Sequence, residues 1–269
     1  VLSPVLFAVF INDLVDEVNK ANIGCYISNV CVSIVLYADD IMLIAPSITG
    51  LQRLLTICEE QLILLDMRIN VNKSVCIRFG HRYNESCVEL NSLQGGSMKW
   101  VKSCRYLGVY LESARTFKCS FDLCKSKFFR AFNALFSKIG RAASEDVVLA
   151  LLRTKCLPIL LYSTEACPVL SRDKHSIDFA ITRVFMKVSC TNSASVVAEC
   201  QRNFNFLPFK LQLSIRTAKF LQRFSASENL ICSIFSANAS NQLNCLSSKY
   251  GERIVSVSEL INAIYARNE

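Results

Sequence analysis

The run Val30-Cys31-Val32-Ser33-Ile34-Val35-Leu36-Tyr37-Ala38-Asp39-Asp40-Ile41-Met42-Leu43-Ile44-Ala45 decides how this chain folds. It is apolar and rich in β-branched residues on both sides of one charged pair, which predicts two strands, residues 30–37 and 41–45, around a tight turn. Asp39 and Asp40 then sit at the tip of a hairpin whose arms are almost wholly apolar. The pair also breaks the run well short of the roughly 20 apolar residues that a membrane helix needs.

Upstream, Ser3 followed by Pro4 is a helix start, a serine N-cap with proline where its missing donor costs nothing. Phe7, Phe10, Ile11, Leu14 and Val18 recur at helical spacing, so one helix should run to about residues 22–24 with Asn12, Asp16 and Glu17 outward. Downstream, residues 46–50 punctuate the chain, and Leu51, Leu54, Leu55, Cys58, Leu62 and Leu65 mark a second helix. Short strands are expected at residues 75–79, 98–101 and 106–111. Helix, hairpin, helix and strands together predict an α+β layer.

Beyond residue 112 the pattern turns helical. Phe117, Phe121, Cys124, Phe128, Phe132, Leu135 and Ile139 form one stripe, flanked by Lys118, Lys125, Lys127 and Arg130. The phenylalanines could stack on bases, but at this spacing they read as core. Further helices are expected over 145–157, stopped by Pro158, over 173–188 and over 208–224. From 225 to 249 Ser and Asn rise and periodicity fades, which reads as loops. The expected division is therefore 1–111 and 112–269.

Charge follows the same division. Residues 1–111 hold 9 Lys+Arg against 10 Asp+Glu, and residues 112–269 hold 21 against 12, so the whole excess behind the net charge of +8 lies in the second part. A basic surface of that kind suits a polyanion such as nucleic acid, although a merely soluble basic domain would look the same. The 14 cysteines are scattered without a C-x-x-C pair and only two histidines accompany them, so they read as reduced thiols with no disulfide partner. No signal peptide or membrane span is visible, which implies an intracellular protein, nuclear or cytoplasmic. The start at Val1 without methionine suggests a fragment.

Asp39 and Asp40 are open to two readings. Asp is favoured in turns for purely local reasons. A rigid pair of carboxylates is also what hard, oxygen-seeking Mg²⁺ needs to be held against substrate phosphates. Tyr37-Ala38-Asp39-Asp40 resembles the Tyr-x-Asp-Asp signature of reverse transcriptases, and four neighbours stand in the family's order. Val1-Leu2-Ser3-Pro4-Val5-Leu6-Phe7 is similar to the start of a palm helix that meets template and nucleotide, without the Gln-Gly pair that precedes it in the family. Arg68-Ile69-Asn70-Val71-Asn72-Lys73-Ser74 resembles the palm motif that supplies a lysine near the nucleotide phosphates. Arg105-Tyr106-Leu107-Gly108-Val109 resembles the primer-grip hairpin. Residues 157–165, Leu-Pro-Ile-Leu-Leu-Tyr-Ser-Thr-Glu, look like a thumb pattern of LINE-type elements, where a glycine usually stands near Ser163.

The resemblance, to reverse transcriptases of non-LTR retrotransposons, implies a partial right-hand palm followed by a helical thumb and connection. It implies RNA-directed DNA polymerisation by two-metal chemistry with Mg²⁺, an RNA template, a DNA primer and deoxynucleoside triphosphates. Asp39 and Asp40 would be catalytic metal ligands and Lys73 would assist at the phosphates. Ser3, Pro4 and Tyr37 would shape the template and nucleotide side, Tyr106, Leu107 and Gly108 would grip the primer, and Lys118, Lys125, Lys127 and Arg130 would meet nucleic acid. In the family a further aspartate from an upstream strand completes the metal cage, so a fragment of this extent is expected to be inactive alone. The other reading is a non-catalytic, nucleic-acid-binding remnant of a retroelement.

Overall fold

The computed structural model describes residues 3–140, 142–251 and 256–266, with the side chains of Ser3 and Pro4 outside the described set. The chain divides into two compact units, one of residues 1–104 with 112–117 and one of residues 105–111 with 118–269.

In the first unit the expected single amino-terminal helix is two, α1 (Ser3–Phe10) and α2 (Asn12–Lys20), separated at Ile11. α2 is amphipathic and buries Leu14 and Val18. α1 is apolar on every side, so Val5, Leu6, Val9 and Phe10 are exposed where a one-helix reading would bury Phe10.

The long strand expected over 30–37 is also divided. Tyr26–Ile27 (β1) pairs with Val30–Cys31 (β2), and Ile34–Tyr37 (β3) pairs with Asp40–Leu43 (β4), each pair antiparallel. The divide falls at Ser33, fully buried, whose hydroxyl donates to the carbonyls of Ile23 or Cys25 and accepts the Cys25 N–H at 2.9 Å. Gly24 is required there: at φ +108°, a Cβ would lie 2.1 Å from the Ser33 Oγ.

Register then sorts the hairpin by period two. Ile34 faces Leu43 and Leu36 faces Ile41 across the ladder, and all four pack on Ile11, Leu14 and Val18 and on Leu54, Cys58 and Leu62 of α3 (Ile48–Leu64). Val35 and Met42 lie opposite one another on the second face, half-buried. The arms thus meet the core through one face, while the residues of both faces stay half-buried.

α3 starts at Ser47, which accepts the Gly50 N–H. Its other side packs Leu55 on Cys76, Leu90 and Met98, with Ile69, Val71 and Trp100 around them. The strand expected at 75–79 is reduced to one parallel bridge between Cys76 and Trp100, beside the short hairpin β5 (Leu90–Asn91) and β6 (Ser97–Met98).

The expected strand 106–111 is a hairpin, β7 (Ser103–Tyr106) and β8 (Val109–Glu112), in a three-stranded sheet with β9 (Lys118–Ser120). Lys118 therefore lies on a strand, and the helical stripe starts later, with α4 (Asp122–Ile139). Phe128 and Phe132 of α4 are buried, as is Phe121 just before it, whereas Phe117 is exposed against Phe79.

In the second unit Pro158 does not stop the helix. α5 (Glu145–Leu151) passes through a π-helical turn (Leu152–Cys156) into α6 (Leu157–Leu160), which contains the proline. A widened turn removes the demand for the N–H that proline lacks and relieves its clash with the carbonyl four residues back.

α7 (Ser171–Val188), α8 (Ala194–Asn203) and α9 (Phe209–Ser225) follow, with Phe185 and Phe206 edge to face at 4.7 Å. The Ser/Asn-rich stretch read as loops forms α10 (Leu230–Ile234) and α11 (Ser236–Ser248), and α12 (Val257–Ala266) follows. Leu243, Leu246, Leu260 and Ile264 pack on Leu207, Ile215 and Ala218, so tertiary burial overrides weak local propensity. No described helix is long and apolar enough to cross a membrane.

Candidate active site

Tyr37 and Asp40 are partners in the ladder, so the two turn residues are Ala38 and Asp39, and Asp40 is the first residue of β4. Ala38 has φ +52° while Asp39 does not have positive φ, the pattern of a type II′ turn, whose first position usually takes glycine. A non-glycine residue there is held against a local cost, typically about 1–3 kcal/mol, by the ladder on either side. Tyr37, Asp39 and Asp40 are all exposed at this tip, above arms anchored on α2 and α3.

Lys73 lies in a turn closed by Asn70, whose carbonyl accepts the N–H groups of Lys73 and Ser74 at 3.0 Å and whose side-chain oxygen accepts the Lys73 N–H at 3.2 Å. The lysine side chain is exposed. Ile69, in the segment leading into this turn, and Leu43 of β4 share the same apolar clusters, so one core carries both the acidic tip and the lysine turn. Ser3 and Pro4 lie at the start of α1, and their side chains are outside the described residues.

The donor set can be tested against Mg²⁺. That ion takes one or two carboxylates from a protein and fills its octahedron with water and substrate phosphate oxygens. Two exposed, adjacent carboxylates on an anchored turn fit such a partial set. Among the described residues no group of three or more metal-binding side chains gathers.

In the second unit Leu107 (φ +46°) and Gly108 (φ +84°) are the two turn residues of the β7–β8 hairpin, both left-handed as a type I′ turn demands. Tyr106 on β7 is half-buried. Over the turn lies Tyr162, absent from the expected site residues, whose hydroxyl donates to the Leu107 carbonyl at 3.0 Å. Its only signal in the sequence is its place within the 157–165 pattern.

The four basic residues of the α4 region divide. Lys127 and Arg130 are exposed on α4. Lys125 is mostly covered, pairs with Asp122 at 2.8 Å and donates to Ser176 Oγ at 2.6 Å. That ammonium holds the Asp122 carboxyl below the usual carboxylate range, with smaller help from Arg172 and Lys118. Lys118 is half-buried on β9.

All the cysteines are free thiols. Burial, with a smaller push from the Glu59 charge, raises Cys58 to about 12. Burial and then a hydrogen bond with Cys119 raise Cys167 to about 12.

The first unit is thus a mixed helix-and-strand layer that presents adjacent carboxylates at a fixed turn, a layout compatible with a polymerase palm. Residues 1–111 match the family model described as reverse transcriptase (RNA-dependent DNA polymerase). That stretch is thus similar to the reverse-transcriptase family, whose members are nucleotidyltransferases. No curated protein matches the chain.

Proposed function

We propose that the chain carries the hairpin half of a two-metal site in an RNA-directed DNA polymerase of the non-LTR retrotransposon type. The observation that supports this most is the anchored tip, where Asp39 and Asp40 stand exposed above one core shared with the Lys73 turn. Asp39 and Asp40 would hold Mg²⁺, which when bound lowers the charge barrier between a primer 3′-hydroxyl and the nucleotide phosphates. Lys73 brings a positive charge to the triphosphate. Tyr37, Ser3 and Pro4 border the template and nucleotide. A two-metal cage needs a further carboxylate beside Asp39, which in the family comes from an upstream strand.

The division of labour follows the expected domains, a partial palm over 1–111 and a thumb with connection over 112–269. The Tyr106-Leu107-Gly108 hairpin meets the primer strand, and exposed Lys127 and Arg130, with Lys118 and Lys125 nearby in sequence, track the duplex backbone. RNA template, DNA primer and deoxynucleoside triphosphates are the partners.

The test is extension of a DNA primer on an RNA template with Mg²⁺, by the chain and by its Asp39→Ala variant. Extension lost in the variant supports the polymerase. Duplex binding with extension indifferent to the change favours the non-catalytic nucleic-acid-binding remnant.

A further inference from the structure

Two contacts tie Tyr162 to the tip of the β7–β8 hairpin. Its hydroxyl donates to the Leu107 carbonyl at 3.0 Å, and its ring lies so close over Gly108 that a Cβ there would meet Cε1 at 2.9 Å. The tyrosine is half exposed, so burial alone does not explain its position. It is set from behind instead. Leu160, Leu161 and Thr164 are buried around it, and Thr164 Oγ1 donates to the Leu161 carbonyl at 2.9 Å. Ser163, next in the chain, takes φ +58° to turn the backbone. Glu165 is then gripped by the Arg216 guanidinium of α9, Nε at 3.0 Å and Nη2 at 2.9 Å on its two oxygens. A bidentate pair of this kind fixes direction as well as distance.

The turn beneath needs such help. Leu107 is a poor residue for a left-handed position, because its Cβ crowds the backbone there, and an unclamped tip would sample other conformations. We propose that Tyr162 is a positioning residue for the Leu107–Gly108 turn: its ring caps the glycine and its hydroxyl fixes the leucine carbonyl, so the hairpin tip meets a primer strand in one conformation. The role at the primer rests on the polymerase reading above. The clamp itself rests only on the contacts. Gly108 serves two needs, a positive φ and room for the ring.

A double-mutant cycle with Tyr162→Ala and Gly108→Ala, read by urea unfolding of the full chain, tests the clamp. The Gly108→Ala penalty should shrink by about tenfold in unfolding equilibrium constant when the ring is gone, because only the φ strain remains. Additive effects overturn the clamp. Tyr162→Phe, which keeps the ring, tests the hydroxyl without endangering the fold, and should speed amide exchange at residues 106–109 by about fivefold, the worth of one neutral hydrogen bond.

For the role at the primer, the affinity for an RNA–DNA duplex with a recessed DNA 3′ end is compared with that for a blunt duplex. Preference for the recessed end should fall about fivefold in Tyr162→Ala, and an unchanged preference overturns the positioning role. Wild-type chain that binds both duplexes alike sinks the polymerase reading of this hairpin, while the cycle still decides the clamp.

Discussion

The Gln52 side chain of α3 binds both backbone groups of Asn91, Nε2 donating to the carbonyl and Oε1 accepting the N–H, each at 2.8 Å. Two turns further along the same helix, the buried Glu59 accepts the Leu93 N–H at 2.8 Å and the Ser92 hydroxyl. One helix edge thus satisfies the backbone of the β5–β6 hairpin, which among the described residues pairs with no further strand. Gln52→Ala should cost about 1 kcal/mol, the usual net worth of exposed hydrogen bonds, and Glu59→Ala about 1–3 kcal/mol, because two part-buried donors lose a buried, charged acceptor. Urea unfolding of both variants checks the order, and equal losses would mean that burial of Glu59 adds nothing.

Asp39→Ala and Asp40→Ala should each abolish the enhancement of water-proton relaxation that Mn²⁺ gains on binding the chain, with little change in unfolding free energy, since both side chains are exposed. In any active assembly that contains this chain, Asp39→Ala should slow extension by about 10²–10³-fold or more, as removal of a charge-stabilising group does. Relaxation enhancement that survives in the double variant would place the metal elsewhere.

The basic face of α4 should act unevenly on a duplex. Lys127→Ala and Arg130→Ala should each reduce the slope of log affinity against log salt by about 1, the value for one phosphate contact. Lys125→Ala should leave the slope unchanged, because its ammonium is committed to Asp122 and Ser176. Three equal slopes would show that the Lys125 pairing opens on binding.

Asp122 gives a pH signature. Its carboxyl is held low by Lys125, so its stabilising effect is present above the ordinary carboxylate pKa near 3.9 and is lost as pH falls through its own lower value. Carbon-detected titration should show the depressed midpoint in the wild type and a rise toward the ordinary value in Lys125→Met. Being largely exposed, the pair adds little to stability at neutral pH.

Thiol chemistry should follow burial. Cys58 and Cys167, both raised to about 12, remain protonated thiols at pH 8 and should resist iodoacetamide in the native chain. Cys190 and Cys245 are exposed and should be labelled first, as peptide mass mapping of a short pulse will show. Early labelling of Cys58 would mean that the α2–α3 core opens readily.

Much of the first unit was legible from one-dimensional pattern. The β-branched apolar run over 30–45, broken only by its acidic pair, specifies a hairpin, whereas the ladder places its two turn residues at Ala38 and Asp39. The stripe on α3 and the spans of α7 and α9 follow as directly from helical spacing. The order of motifs around Tyr37-Ala38-Asp39-Asp40 was enough to indicate a reverse transcriptase, since it is written in residue identities.

What the pattern left open depended on contacts between distant residues. Nothing local shows that Ser33 must bind the turn at Gly24, which divides the long strand, or that a π turn would carry the helix through Pro158. Ser and Asn have weak helix propensity, so α11 exists only because its Leu243 and Leu246 find the Ile215 and Ala218 face of α9. Lys125 and Lys127 flank the same stripe in sequence and part in the fold, where Asp122 pairs with Lys125 and α7 brings Ser176 to it. Tyr162 and Gly108 stand 54 positions apart, and only the folded second unit lays the ring across the turn. The sequence by itself determined the local periodicities and the acidic turn, because these depend on neighbours along the chain. Tertiary structure decided which charges are free and which turns are held, because those depend on what folding brings from elsewhere.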